Sequence, residues 1–134
     1  MISPNLDSIR LFLHVLAAAV WVGGQIVLGA LVPRLRAVHP DNGKALAKGF
    51  AKVAWPAFGL AVITGIWSVL DVPISDLSNE YRVTLAVHVV LAVVAATAAV
   101  VHSIGRTKLA LALGGAVGLL ASLAALFVGI LLAG

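Results

Sequence analysis

Apolar residues run along this chain in four long, nearly uninterrupted stretches that short polar segments separate. The stretches cover about residues 11–32, 53–70, 83–104 and 109–133. A helix that crosses the hydrocarbon core of a bilayer needs about 20 apolar residues, and each stretch is close to that length. The pattern therefore predicts four membrane-spanning helices.

Composition supports the same interpretation. Of 134 residues, 62% are hydrophobic and 10% are charged, whereas soluble domains are about half apolar and about a quarter charged. These values exclude a water-soluble monomer and leave no room for a separate soluble domain. We expect an all-α integral membrane protein, with residues 1–134 forming a single four-transmembrane-helix up-down bundle in contact with the lipid bilayer.

Basic residues are concentrated in two of the connections. Seven of the nine Lys and Arg residues follow the first or the third stretch: Arg34, Arg36, Lys44, Lys48, Lys52, Arg106 and Lys108. By the positive-inside rule these connections are cytoplasmic and both termini are extracytoplasmic. The net charge of +4 thus reflects orientation in the membrane, and we expect no nucleic-acid partner.

The chain has no cysteine, which excludes disulfides, thiolate metal sites and iron–sulfur clusters. Four histidines remain as candidates for chemistry. His14, His88 and His102 lie within or at the edge of apolar stretches, where ionisable side chains are costly and mark functional sites. His39 lies in the first basic connection, beside Pro40, and is interpreted as a solvated loop residue.

His14 and His88 lie at matching depth. His14 follows Arg10 by four residues and His88 follows Arg82 by six, so at about 1.5 Å per residue they lie roughly 6 and 9 Å inward of these arginines. In an up-down bundle the first and third helices run parallel, so the two imidazoles could face each other as axial ligands of a b-type haem. Arg10 and Arg82 would then meet the haem propionates.

The alternative is a purely structural role. Two buried histidines can each be satisfied by a main-chain carbonyl, or by a hydroxyl such as that of Thr84 or Thr97. The matching depth of His14 and His88 favours a shared cofactor or metal over this alternative.

His102 follows His88 by 14 residues, which is about 21 Å along one helix face and similar to the spacing in cytochromes b that stack two haems. Leu28 stands at the corresponding position of the first stretch, so a second bis-histidine haem is not expected. We expect His102 to form a hydrogen bond near the cytoplasmic surface, with Gln25 or His39.

Small residues interrupt the first stretch near its middle. Trp21 and Gln25 share a helix face with His14, and Gly23 and Gly24 lie between them. The glycines make room either for a flat macrocycle or for a neighbouring helix.

Small residues also recur at intervals of four in the last stretch, which contains Gly114, Gly118 and Ser122, and Ala121, Ala125 and Gly129. Such spacing lets helices approach closely in lipid. We expect packing within the chain, with a homodimer through the fourth helix as the alternative. The sequence shows no internal repeat.

Three segments of the chain resemble a known family. Residues 13–24, Pro33-Arg34-Leu35, and Trp55-Pro56 followed by Ile63-Thr64-Gly65-Ile66 resemble the copper-resistance D family of membrane proteins. The four-helix architecture is similar to that of the membrane-bound protoporphyrinogen oxidases, which carry a histidine in the first helix and bind b-type haem. The resemblance extends over about three of the four stretches.

Each resemblance implies a function. The copper-resistance D family implies copper movement across the membrane, with His14 as the position most directly carried over. Copper(I) prefers thiolate and thioether ligands, whereas this chain has no cysteine and one methionine, Met1. The oxidase family implies that His14 and a third-helix residue, typically lysine, serve the haem or the catalysis; here the third helix offers His88, which preserves haem ligation and puts the family's specific reaction in doubt.

The sequence therefore predicts a protein that binds one b-type haem near the extracytoplasmic face, for electron transfer or a haem-linked oxidoreduction. The expected location is a bacterial plasma membrane, with a membrane redox partner. Copper ion transport through His14, His88 and His102 is the alternative, and whether the protein is an enzyme stays open. Candidate cofactor-binding residues are His14, His88, Arg10, Arg82, Trp21 and Gly24.

Overall fold

The computed structural model describes residues 3–134, which are almost entirely helical. Its long helices are α1 (Leu6–Val38), α2 (Pro40–Leu70), α3 (Asn79–Ile104) and α4 (Lys108–Ala133). A short 3₁₀ helix, Ile74–Asp76, lies between α2 and α3. All four long helices are long and apolar enough to cross a membrane. The predicted all-α class, with four helices of membrane-spanning character, is confirmed.

Side chains define where three of these helices begin. Asn5, Ser78 and Thr107 precede α1, α3 and α4, and each accepts a hydrogen bond from the main-chain N–H three residues further on. Such caps satisfy one of the N–H groups that a first helical turn leaves without an intrahelical partner. Helix α2 begins instead with Pro40, whose missing N–H costs nothing at that position.

The first connection differs from the sequence-based expectation. Helix α1 continues through Pro33 to Val38, and α2 begins at Pro40, so that the exposed His39 alone separates them. Residues 34–52 are rich in Ala, Leu, Lys and Arg, which are good helix formers. The predicted spans stopped at these residues because many of them are polar, but a polar helix can continue beyond the hydrocarbon core.

The chain divides into two compact units, Met1–Pro73 and Ile74–Gly134. The first unit is the hairpin of α1 and α2, and the second is the hairpin of α3 and α4. Each hairpin pairs two antiparallel helices.

An aromatic cluster packs the first hairpin. The side chain of Trp21 is buried, and its ring centroid lies 5.3 Å from that of Trp55 and 4.6 Å from that of Phe58. The small residues Ala17 and Ala54 are also buried. The core of this hairpin therefore combines large rings with small residues.

Small residues pack the second hairpin. A Cβ atom added at Gly114 would lie 2.8 Å from the carbonyl oxygen of Ala98 and 2.7 Å from the main-chain nitrogen of His102. Ala121 and Ala125 are buried in the same hairpin. The small-residue stripe of α4 thus packs on α3, and the predicted use within the chain is confirmed.

Candidate functional site

His14 of α1 is held by two oxygen atoms of α2. Its Nδ1 lies 2.8 Å from the carbonyl oxygen of Ala61 and 3.1 Å from Oγ1 of Thr64. The Thr64 hydroxyl donates its own proton to the carbonyl of Leu60, at 2.7 Å. A carbonyl oxygen can only accept, so Nδ1 carries the proton, and in the neutral imidazole the lone pair is on Nε2.

His88 of α3 is held in the same way by α4. Its Nδ1 lies 2.9 Å from the carbonyl oxygen of Ala125, so this nitrogen also donates. A Cβ added at Gly129 would lie 3.2 Å from Cε1 of His88, and a Cβ added at Gly65 would lie 3.2 Å from Cε1 of His14. Each imidazole therefore lies against a glycine. This glycine follows, by four residues, the alanine whose carbonyl accepts the hydrogen bond from the imidazole. We call this arrangement of histidine, alanine carbonyl and glycine a histidine seat.

The two hairpins share a local arrangement around their histidines, although no internal repeat was predicted. In both hairpins the second helix carries the sequence Ala-x-x-x-Gly-Ile, at 61–66 and 125–130, and the histidine is followed by valine. The histidine and its alanine are 47 residues apart in the first hairpin and 37 in the second. Because the two separations differ, the hairpins do not align at a constant spacing along the sequence. The shared Ala-x-x-x-Gly-Ile was the signal that could have indicated the similarity.

The two seats differ in the residue that precedes the glycine. Thr64 of the first seat corresponds to Val128 of the second, since each precedes the glycine of its seat. The position of the Thr64 hydroxyl is thus taken by the apolar side chain of Val128 in the second seat. Thr84 and Thr97, considered above as hydroxyl partners, donate instead to main-chain carbonyls of α3.

His102 does form a hydrogen bond, as expected, but with a different partner. Its Nδ1 lies 2.6 Å from the carbonyl oxygen of Leu111, and not from the predicted partners Gln25 or His39. The side-chain amide of Gln25 donates to the carbonyl of Trp21, at 3.2 Å. His102 therefore joins α3 to α4 within its own hairpin.

Arg10 lies among carboxylates. Its guanidinium forms ion pairs with Asp71 and, at 3.0 Å, with Asp7, and it lies 5.6 Å from the ring centroid of Trp67. Only 11% of the Arg10 side chain is exposed. Sequence reasoning missed Asp71, although an acidic residue at the end of the second stretch and a basic one before the first predict such a pair. Arg82 donates to a main-chain carbonyl of the 3₁₀ helix, at 3.0 Å.

Trp21 and Gly24 form part of the packing of the first hairpin. A Cβ at Gly24 would overlap the ring of Phe50, which fills the space that the glycine leaves. Trp21 packs against the aromatic side chains of α2. Gly24 therefore makes room for the neighbouring helix α2, which is one of its two predicted uses.

Within residues 3–134, no three His, Asp or Glu side chains are grouped so that they could hold a metal ion. No family model, no curated protein and no solved structure matches the chain. Fold and site together define a helical protein of membrane-spanning character, built from two hairpins that each seat a histidine.

The hydrogen bonds predict the tautomers of the three histidines whose Nδ1 lies against a main-chain carbonyl. In ¹⁵N NMR spectra of histidine-labelled protein in detergent, at a pH where free imidazole is neutral, we expect His14, His88 and His102 to be protonated at Nδ1. The exposed His39 serves as the reference and should average between tautomers. Protonation at Nε2 in His14 or His88 would contradict the seats described here.

Proposed function

We propose that this protein binds one b-type haem with His14 and His88 as axial iron ligands, and that it serves electron transfer or a haem-linked oxidoreduction. The observation that carries the proposal is the orientation of the imidazoles. In each seat Nδ1 donates to a main-chain carbonyl, so Nε2 is the nitrogen with the lone pair. Histidines that bind metals almost always donate their other N–H in this manner.

The number of ligands also supports haem. The porphyrin supplies four ligands to the iron, so the protein needs to supply only one or two axial groups. Two seated histidines meet that requirement without a group of three ligands, and no such group occurs among the described residues. Sites that bind a bare metal ion in structural or catalytic roles usually take three or four protein ligands.

The chain's own residues would set the properties of these ligands. The Ala61 carbonyl and the Thr64 hydroxyl hold the proton at Nδ1 of His14, which fixes the tautomer and the orientation of the ring. Gly65 and Gly129 leave each ring room at its Cε1 edge. When bound, the haem would supply one-electron chemistry, while the seats would orient the rings.

The two arginines fit the propionates unequally. Arg10 already pairs with Asp71 and Asp7, so a propionate would have to compete with these carboxylates. A guanidinium has five N–H donors, and the described bond of the exposed Arg82 uses one of them, to a main-chain carbonyl. Arg82 is therefore the more available cation.

Orientation and partners belong to the same proposal. The basic residues at the ends of the helices where α1 meets α2 and α3 meets α4 support an orientation with both termini outside, in a membrane that we propose to be a bacterial plasma membrane. Electron transfer also requires a membrane redox partner. Since the small-residue stripe of α4 packs on α3, a homodimer through α4 is not part of the proposal.

The test is an absorption spectrum of the detergent-purified protein, oxidised and then reduced with dithionite, after expression with ample haem supply. We expect a Soret band, sharp α and β bands on reduction, and one haem per chain. Metal analysis of the same sample separates the alternatives. A colourless sample that contains copper would favour copper transport through the histidines, and a sample with neither would contradict both functions.

A further inference from the structure

In the first hairpin, the apolar stretches of α1 and α2 do not lie at the same height. Gly24 faces Phe50, and Gly43 contacts the side chain of Arg36. By this register, Lys48 and Lys52 of α2 lie at about the height of residues 22–28 of α1, which belong to the first apolar stretch. Cationic and apolar side chains are therefore side by side at one end of this hairpin.

A groove between α1 and α2 lies at the same height. It has a volume of about 450 Å³, and its lining includes Val27 and Leu31 of α1 and Gly49, Phe50 and Val53 of α2. Val27 is 54% exposed and Leu31 is 46% exposed. This part of the groove fits a hydrocarbon chain.

At one end the groove meets a second cavity that a cationic side chain lines. Leu31 and Leu46 also line a second cavity, of about 410 Å³, whose wall includes Arg34 and His39. Moving along the groove, the lining thus changes from wholly apolar to partly cationic. A ligand that matches it has an apolar tail and an anionic head.

Further cations border the groove along α2. Lys44, Lys48 and Lys52 are exposed and follow one another at intervals of four residues, so they share a helix face. Each directly precedes a residue of the groove, namely Ala45, Gly49 and Val53. Between residues 33 and 52 the sequence has five Lys or Arg and a single carboxylate, Asp41.

We propose that this groove binds an anionic phospholipid from the leaflet on the side of the α1–α2 connection. An acyl chain would lie along Val27, Gly49 and Phe50, and the phosphate would meet Arg34 and the lysines. Basic pockets between membrane helices bind anionic head groups in this way, and lysine stems can cross apolar surface to place their charge at the head groups. A second copy of the chain fits less well, because its groove would bring the same cations.

The experiment measures lipid binding to the full chain in detergent, by native mass spectrometry. The probes are dioctanoyl phosphatidylglycerol and dioctanoyl phosphatidylcholine, which share acyl chains and differ in charge. We expect the wild type to retain the anionic lipid about tenfold better, and added salt to reduce the difference. Equal retention of the two lipids would overturn the proposal.

Two glycines provide matched variants. A Cβ at Gly49 or at Gly59, both in α2, meets no atom within 4 Å, and only Gly49 lines the groove. Gly49→Leu should fill the groove and weaken binding of the anionic lipid about tenfold, whereas Gly59→Leu should bind as the wild type does. Equal binding by the two variants, or a change in oligomeric state in Gly49→Leu with lipid binding intact, would contradict the lipid site.

The role of charge is tested with separate variants. These variants also test the lipid site if Gly49→Leu does not fold. The double variant Lys48→Gln/Lys52→Gln should lose the preference for phosphatidylglycerol, while Lys108→Gln, at the start of α4, should keep it. A preference that survives the double variant would overturn the role of the lysines. These measurements need no haem, so their outcome is independent of the proposed function.

Discussion

Purified His14→Ala and His88→Ala proteins should each lack the Soret band, whereas His39→Ala should keep the wild-type spectrum. In the proposed coordination each seat supplies one axial ligand, and neither hairpin has a second histidine in its seat. An alanine would leave the proposed haem held by one imidazole instead of two, so haem should be nearly completely lost during purification. His39 is exposed between α1 and α2 and should not affect the haem.

Loss of the band must be separated from loss of the fold. Circular dichroism of each variant should show wild-type helix content, because alanine is a good helix former. His14→Gly offers a sharper control: imidazole added to the solution can enter the emptied seat and should restore the low-spin spectrum. A His14→Ala or His88→Ala protein with an unchanged reduced spectrum would show that the residue is not an axial ligand.

Much of the fold was predictable because it depends on hydrophobic pattern. Long apolar stretches in a chain of this composition must bury their main-chain polar groups in helices, so their number and type follow from the sequence. Their ends do not, since residues 34–52 are polar and yet favour helix. His39 is exposed and lies outside the helices, as expected, but the connection that holds it is a single residue long.

The candidate site was predictable only in part, for a different physical reason. His14 and His88 are visible in the sequence as ionisable groups in apolar stretches. Their partners, the carbonyl oxygens of Ala61 and Ala125, are main-chain atoms that every residue has, so no side-chain pattern marks them. The close approach of Gly24 to Phe50 likewise depends on the register of two helices, which their nearly uniform hydrophobicity does not determine.

The second large effect is expected at Gly114, where the main chains of α3 and α4 lie close together. In Gly114→Ala the new Cβ would lie 2.8 Å from the carbonyl oxygen of Ala98. Because this neighbour belongs to the main chain, α3 and α4 would have to move apart. We expect a loss of about 1–3 kcal/mol in the free energy of unfolding, the range typical of overpacking. Titration with SDS in mixed micelles measures the free energy of unfolding of the variant and of the wild type.

Gly29→Ala is the matched control, because a Cβ there meets no atom within 4 Å. Replacing this helical glycine should leave stability unchanged or raise it by about 0.5–1 kcal/mol, since alanine restricts the unfolded chain more. The difference between the two variants isolates the packing of α4 on α3 from helix propensity, which is the same for both. Equal stability of Gly114→Ala and Gly29→Ala would mean that α3 and α4 are not in close contact, and the small-residue stripe of α4 would then be available to another chain.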